Sequence, residues 1–424
     1  MKRSNGHALP GPPWVLPLAS LVIISILLSF AVYKLSGGRE VADDAKRLIG
    51  FARHPFILWG DYRAEGLSDA WGSFPPLLPL LFGILITPWL AVFPDFWGFR
   101  IGVLSWSVVA FFIIHLIAGR LLRLPPDRQR NTLLIFAFLP SVLGAIAFIP
   151  QEEIYVSLFA IILYIAARNE RWNLVLPLLA LTLLAGKYFL LVLAVPLAFT
   201  TKRPLRSLCL WGGVSAALLA AYIGYHKILF DLSPVIGHVI DPGSSLSIWA
   251  LLWNLGFQPN PQTVKLASLL LVIAAVFIFS RRASQRGLPL PFTMSGTLYI
   301  TLLCLSITFP AYVLWTVPLT VICTALMERG RGRAWSIVLL FLWGFGEWGA
   351  NFLRGVHLAL RTERAAGKTA LANAAERFLG DGFPYQALHV ACIAVVIACG
   401  IGLICLLWTG GLRYASRRQP ALEG

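Results

Sequence analysis

Charged residues are scarce in this sequence. They make up 13% of its 424 residues, whereas soluble domains carry roughly 25%. Acids are the scarcer kind, with 19 Asp and Glu against 35 Lys and Arg. Hydrophobic residues make up 58% of the chain, and apolar runs of about 20 residues, the length of a membrane-crossing helix, recur along it. This composition argues against a soluble protein and predicts an all-α, polytopic transmembrane helical bundle, a single domain over residues 1–424.

The sequence also lacks the signals of a metal centre and of the endoplasmic reticulum. Its six cysteines lie inside apolar runs without the spacing of metal ligands, so we interpret them as small core residues. No other set of metal ligands stands out, and we expect no metal and no cofactor. It has no Asn-x-Ser/Thr glycosylation site and no C-terminal KDEL signal, which favours a bacterial or archaeal membrane. The first apolar run, Trp14 to Tyr33, has no clear cleavage site, and we predict a retained signal anchor.

Basic residues give the chain a net charge of +16. In a soluble protein this excess would suggest a nucleic-acid partner. Here it follows the rule that cytoplasmic loops carry Lys and Arg, so no nucleic acid is expected. Lys2 and Arg3 precede the first span and place the N-terminus inside. Following the basic loops predicts about twelve crossings, two cytoplasmic termini, and an outer side that holds most of the acids.

Two apolar runs do not fit a simple alternation of crossings. Pro75–Phe93 holds four prolines, and the run after it ends in a basic loop at residues 120–130 that should be inside. We therefore predict that Pro75–Phe93 is a re-entrant or interfacial segment. Leu174–Phe199 has basic residues on both flanks, which predicts a hairpin of two short helices. Its lone cation, Lys187, would lie near the outer apex.

Three longer segments are predicted on the outer side, at residues 37–81, 230–262 and 353–385. The first is rich in acids, and a carboxylate just above a bilayer can act as a general base toward a hydroxyl group. Asp43, Asp44 and Asp61 are therefore candidate catalytic residues. The alternative for Asp44 is that it caps a short interfacial helix.

Charged residues elsewhere are candidates for substrate binding. Gln151, Glu152 and Glu153 form an outer turn that could bind sugar hydroxyls, although acids at a helix start also complement its dipole. Lys187 is an expensive cation inside an apolar run and would suit a lipid-linked phosphate; snorkelling to the interface is the alternative. Glu347 is the other ionisable residue inside an apolar run and is also a candidate for substrate binding. The alternative is that it reaches water at the outer end of its helix.

The segment 353–378 alternates basic and apolar residues and is predicted to be an interfacial amphipathic helix. Its Arg354 could bind a phosphate group, or the segment could contact lipid headgroups.

Four local patterns, in this order, resemble the GT-C superfamily of integral-membrane glycosyltransferases, in particular its polyprenyl-phosphomannose-dependent mannosyltransferases. The resemblance spans roughly residues 15–330. Phe74 stands where the family has Tyr, Glu153 where Asn is common, and Tyr312 near a position where some relatives carry His. The patterns are Phe74-Pro75-Pro76-Leu77, Gln151-Glu152-Glu153, Leu184-Ala185-Gly186-Lys187, and the paired segments Ser244–Gly256 and Pro310–Pro318.

The resemblance implies a GT-C-like fold and a chemistry. A polyprenyl-phosphate donor of mannose or another hexose or pentose would lie in the outer leaflet, with its phosphate on Lys187. Asp44 or Asp43 would deprotonate a hydroxyl of a lipid or glycan acceptor, and attack would invert the anomeric carbon. The other residues expected to line the substrate site are Gln151, Glu152, Glu153, Tyr312, Trp315, Glu347 and Arg354.

A transporter or lipid flippase is the competing function. It would place acids and broken helices near the membrane midplane, usually within internal repeats. The sequence shows no clear repeat and keeps its acids at the predicted outer ends.

Overall fold

The computed structural model describes residues 12–35, 77–148, 153–184, 188–230, 246–305, 310–366 and 385–418, and the regular structure in these ranges is helical. A π-helical turn, Ile117–Leu121, follows the third helix, and a 3-10 helix, Tyr188–Leu193, precedes the eighth. The helices of the first half are α1 (Val15–Leu35), α2 (Leu77–Val92), α3 (Asp95–Leu116), α4 (Pro126–Phe138), α5 (Pro140–Ala147), α6 (Glu153–Arg168), α7 (Trp172–Leu184) and α8 (Ala194–Ala198).

The second half continues the helical pattern. Another 3-10 helix, Pro310–Trp315, lies between its fourth and fifth helices. These helices are α9 (Pro204–Phe230), α10 (Ile248–Asn254), α11 (Pro261–Gln285), α12 (Leu290–Cys304), α13 (Val317–Leu326), α14 (Arg331–Ala366) and α15 (Tyr385–Arg418).

Five of the described helices are long and apolar enough to cross a membrane, and α4 with α5 makes a sixth if the pair is one span bent by 46°. The bend lies between Phe138 and Pro140, because a proline disfavours helical backbone in the residue before it. Many large apolar side chains on these helices face outward, such as Leu27, which is 62% exposed. This architecture is consistent with a helical membrane protein.

Three contacts bring together helix segments that the charge pattern predicts to lie on the outer side. The Tyr33 ring, near the end of α1, lies 5.1 Å from the Phe96 ring at the start of α3. The His389 Nδ1 atom, near the start of α15, lies 3.0 Å from the Ala350 carbonyl oxygen of α14. The Trp249 indole of α10 donates to the Cys304 carbonyl at the end of α12 (2.8 Å). We call this the outer end of the bundle.

The helix termini predicted to be cytoplasmic also contact one another. Burial lowers the pKa of Arg333, and the charges of Arg128 and Arg329 lower it further, so these three arginines lie near one another. Ser284 Oγ, at the end of α11, donates to the Phe199 carbonyl just after α8 (3.1 Å). These contacts bring the start of α4 near the start of α14, and the end of α11 near the end of α8.

Helices α14 and α15 form the most extensive helix pair in the described part of the chain. They run antiparallel, since Gly349 meets Cys392 whereas Gly402 meets Leu339. Small residues let helix backbones approach closely in a bilayer, where no hydrophobic force drives association. The third outer segment is predicted to begin at residue 353, but α14 continues as one helix to Ala366.

Helix α2 covers the region predicted to be re-entrant or interfacial. It packs antiparallel to α3: a Cβ on Gly98 would lie 2.8 Å from the Trp89 carbonyl oxygen, and one on Gly102 would lie 2.9 Å from the Ile86 Cα. Because α3 starts at the outer end, α2 points toward that end. Residues 37–76, which complete the first predicted outer loop, lie outside the described residues.

Two short helical stretches, α7 and the 3-10 helix that leads into α8, contact each other. This agrees with the hairpin predicted within Leu174–Phe199. In the second predicted outer segment, α10 begins at the outer end, where the Ser247 side chain caps it by accepting from the Ala250 N–H. The described helices enclose one main core of buried apolar side chains.

Candidate functional site

Several predicted site residues fall outside the described part of the chain: Asp43, Asp44, Asp61, Gln151, Glu152 and Lys187. Arg354 lies in the described backbone of α14, but nothing is described of its side chain. The remaining candidates, Glu153, Tyr312, Trp315 and Glu347, have described side chains, and they fall into two separate clusters.

Glu153 is the first residue of α6 and is almost completely buried, with 1% exposure. A helix start is a favourable place for a carboxylate, because the first backbone N–H groups have no partner within the helix and carry partial positive charge. This position fixes the carboxylate at the outer end, directly after the predicted Gln151-Glu152 turn.

Trp315 approaches Glu153 from a different part of the chain. It ends the 3-10 helix Pro310–Trp315, and Thr316 Oγ1 closes the turn before α13 by donating to the Val313 carbonyl (2.8 Å). The Trp315 side chain is fully buried, and its indole N–H donates a hydrogen bond to Glu153 Oε2. Both side chains are buried, so water does not compete for this hydrogen bond, and the pair joins α6 to the 310–315 segment.

Aromatic rings extend this cluster. The Tyr312 ring stacks on the Trp315 ring with centroids 4.4 Å apart and planes 21° apart, and the Phe189 ring lies 6.2 Å from Trp315 at 25°. Offset stacking is a favoured arrangement of aromatic pairs. Phe189 follows Lys187 by two positions, so the segment after the predicted cation belongs to the same cluster. We call Glu153, Tyr312, Trp315 and Phe189 the acid–aromatic cluster.

Arg100 is a residue whose role the sequence analysis did not identify. It is 4% exposed, and its Nε donates to the Ala147 carbonyl at the end of α5 (2.9 Å). Its Nη1 lies 3.3 Å from the Phe96 carbonyl, and its guanidinium lies over the Phe96 ring at 3.7 Å. Arg100 therefore anchors α5 to α3 a few residues before Glu153. The available signal was a cation inside an apolar run, the same signal that singled out Lys187.

Glu347 belongs to the second cluster. It lies on α14 and is fully buried, and Ser141 Oγ near the start of α5 donates to its Oε2 (3.1 Å). The alternative in which this carboxylate reaches water at a helix end is wrong, because the side chain has no exposed surface. Along α5, Ser141 lies six residues before the outer-end residue Ala147, a distance of about 9 Å.

Metal ligands do not cluster in the described ranges: no group of three or more His, Cys, Asp or Glu side chains there could hold an ion. The described side chains of the acid–aromatic cluster offer a carboxylate, an indole, a phenol group and flat aromatic surface. Searches of protein-family models and of curated proteins find no match to this chain.

Proposed function

We propose that the protein is a GT-C-type glycosyltransferase that transfers a sugar from a polyprenyl-phosphate donor to an acceptor hydroxyl on the outer face of the membrane. The observation that carries this proposal is the acid–aromatic cluster. Three of the four patterns behind the family resemblance contribute to it or adjoin it: the turn before Glu153, the segment after Lys187, and the segment that contains Tyr312 and Trp315.

The proposed sugar site uses two properties of that cluster. A pyranose ring presents flat apolar faces and an edge of hydroxyl groups, and aromatic rings offer a matching apolar surface. Tyr312 is only partly buried, whereas Trp315 behind it is fully buried. On this proposal Tyr312 contacts the sugar or its acceptor, Trp315 holds Tyr312 and Glu153 in place, and Gln151 and Glu152 bind hydroxyls.

Lys187 is proposed to bind the donor phosphate. The phosphate is the leaving group, so negative charge develops on it in the transition state, and a fixed cation there lowers the barrier. Phe189, two positions later, stacks on Trp315, so a Lys187 near the stack would lie close to a sugar bound there. Arg354 is a second candidate for phosphate contact.

The proposed general base is Asp44, with Asp43 and Asp61 as the other candidates in the first outer loop. It removes the proton from the acceptor hydroxyl as the oxygen attacks the anomeric carbon, and the configuration inverts. On this proposal the chain is a multi-pass protein of a bacterial or archaeal membrane with about twelve crossings, and the acceptor is a lipid or glycan.

The test is an assay of the purified protein in nanodiscs with short-chain polyprenyl-phosphate sugars, mannose first and then other hexoses and pentoses. Release of polyprenyl phosphate together with a glycosylated acceptor supports the proposal. The matched control is Asp44→Asn, which keeps the size of the side chain. No release from any donor, with the protein folded and a membrane extract supplied as acceptor, would contradict it.

A transporter or flippase remains the second candidate because of α4, α5 and Glu347. The two helices meet at a 46° bend, and a buried carboxylate faces the start of α5. Broken helices next to an intramembrane acid are typical of transporters. Movement of a fluorescent polyprenyl phosphate between leaflets of proteoliposomes, without sugar transfer, would favour this candidate.

A further inference from the structure

The start of α5 meets the middle of α14 inside the bundle. Gly344 permits the close approach, since a Cβ there would lie 2.8 Å from both the backbone N and the Oγ of Ser141. One turn further along α14, Glu347 accepts the hydrogen bond from Ser141 Oγ. Glu347 therefore lies against the first turn of α5, the helix that starts at the bend after α4. The first turn of a helix carries partial positive charge, which favours a carboxylate.

Two polar atoms at this place have no hydrogen-bond partner among the residues that the structure describes, namely Glu347 Oε1 and Trp343 Nε1. Their residues are 0% and 1% exposed. Residues four positions apart on a helix lie on the same face, so both side chains project from one side of α14. A buried polar atom without a partner costs free energy, and here an acceptor and a donor share the same surroundings.

Tyr299 of α12 packs against Trp343 and lies near Glu347. Its ring packs edge-on against the Trp343 ring, with centroids 5.3 Å apart, and the Glu347 carboxylate is close enough to interact electrostatically with its hydroxyl. That hydroxyl also hydrogen-bonds with the side chains of Thr316 and Thr320. Thr316 follows Trp315, so these polar side chains extend from Glu347 toward the acid–aromatic cluster.

The chemistry of these groups restricts what could bind between them. An anion carries only acceptor atoms, so it could accept from Trp343 Nε1 but would place an acceptor against Glu347 Oε1. A metal cation would meet the Trp343 N–H and the start of α5, both of which present positive hydrogen atoms. A neutral group that donates to Glu347 Oε1 and accepts from Trp343 Nε1 satisfies both atoms, and a hydroxyl group does both.

We propose that Glu347 Oε1 and Trp343 Nε1 form an internal hydroxyl-binding site between α5, α12 and α14, occupied by water or by a hydroxyl group of a polyol. The site needs no assumption about glycosyl transfer. It accounts for two buried polar atoms and for the polar side chains that line this part of an otherwise apolar core.

X-ray radiolytic labelling in ¹⁸O-water tests the site, because it oxidises a buried side chain only where a water molecule adjoins it. The protein is labelled in nanodiscs without donor or acceptor. We expect Trp343 to incorporate ¹⁸O at least about five-fold faster than Met294, a fully buried and intrinsically reactive side chain. Glu347→Leu should reduce the Trp343 rate to that of Met294, whereas Glu347→Gln, which keeps an acceptor oxygen, should preserve it.

A second arm identifies the occupant. Labelling is repeated with methyl α-mannoside at high concentration: a slower Trp343 rate assigns the site to a sugar hydroxyl, and an unchanged fast rate assigns it to water. A Trp343 rate at or below that of Met294 in the unmodified protein overturns the proposal, even where Glu347→Leu fails to fold. The result does not depend on transferase activity, so failure here and failure of the proposed function are distinguishable.

Discussion

The indole N–H of Trp315 donates a hydrogen bond to Oε2 of Glu153, a residue 162 positions earlier in the chain. Both side chains are buried, so the bond joins the first residue of α6 to the segment before α13 in a place where water does not compete. A buried carboxylate that loses a donor leaves an acceptor poorly satisfied. Loss of the Trp315 N–H donor should therefore destabilise the acid–aromatic cluster.

Trp315→Phe should weaken the protein and its proposed activity. The phenyl ring can still stack on Tyr312 and Phe189, but the N–H donor is lost, so we expect about 1–3 kcal/mol less stability and a fall in sugar transfer. Melting temperature and turnover are the measurements. Trp211→Phe is the control, since Trp211 is also buried and stacked on a ring, that of Trp172. Equal losses in both variants would show that the bond to Glu153 contributes nothing beyond ring volume.

Sequence reasoning predicted the membrane helices because apolar runs and basic flanks are local signals. It could not predict the Trp315–Glu153 pair, since helices that are apolar on most faces carry no pattern that says which side chains meet. The bend before Pro140 has a local signal in the proline itself. Glu347 was recognised as unusual, but its bond to Ser141 depends on tertiary packing alone.

Gly344→Ala should destabilise the protein. The added Cβ would lie 2.8 Å from the Ser141 backbone N and 3.0 Å from Pro140 Cβ, so α14 and α5 must separate, at a cost of roughly 1–3 kcal/mol. Gly212→Ala is the matched control inside helix α9, because a Cβ there meets nothing within 4 Å. It should be neutral or stabilising by about 0.5–1 kcal/mol, since alanine favours a helix. A melting temperature for Gly344→Ala at or above that of Gly212→Ala would contradict the close approach.

Arg128 should face the cytoplasm. It lies near Arg329 and Arg333, and loops that gather basic residues stay on the cytoplasmic side. An Arg128→Cys variant, with the accessible native cysteines replaced, should react with a membrane-impermeant maleimide only after the cells are opened. Labelling in intact cells would reverse the orientation and move the acid–aromatic cluster to the cytoplasmic side.

Lys187→Ala should weaken binding of the polyprenyl-phosphate donor while the protein still folds. The phosphate needs a positive charge, and Lys187→Arg keeps that charge with a different shape, so part of the affinity should return. Donor titration by calorimetry or by KM measures the effect. Lys202→Ala is a control, because Lys202 lies at the predicted inner end. Unchanged donor affinity in Lys187→Ala would leave Lys187 as a cation that only reaches the interface.

The last prediction concerns the base, which the first outer loop is proposed to supply. If a short helix begins near Asp43, the side chains of Asp43 and Asp44 point about 100° apart, so only one can face the substrate. Asp44 has Arg47 and Leu48 on its own face at the third and fourth positions, and a neighbouring cation favours the ionised form that a base requires. Asp44→Asn should therefore reduce turnover by about 10²–10⁴-fold and leave donor affinity intact.

Asp43→Asn is the matched control for that variant, because it makes the same chemical change one position away and should keep most of the turnover. A large loss in Asp43→Asn alone would move the role to Asp43. Normal turnover in both variants would exclude both Asp43 and Asp44 as the general base. Asp61→Asn would then be the next variant to measure, since Asp61 is the remaining candidate in that loop, followed by Glu153→Gln.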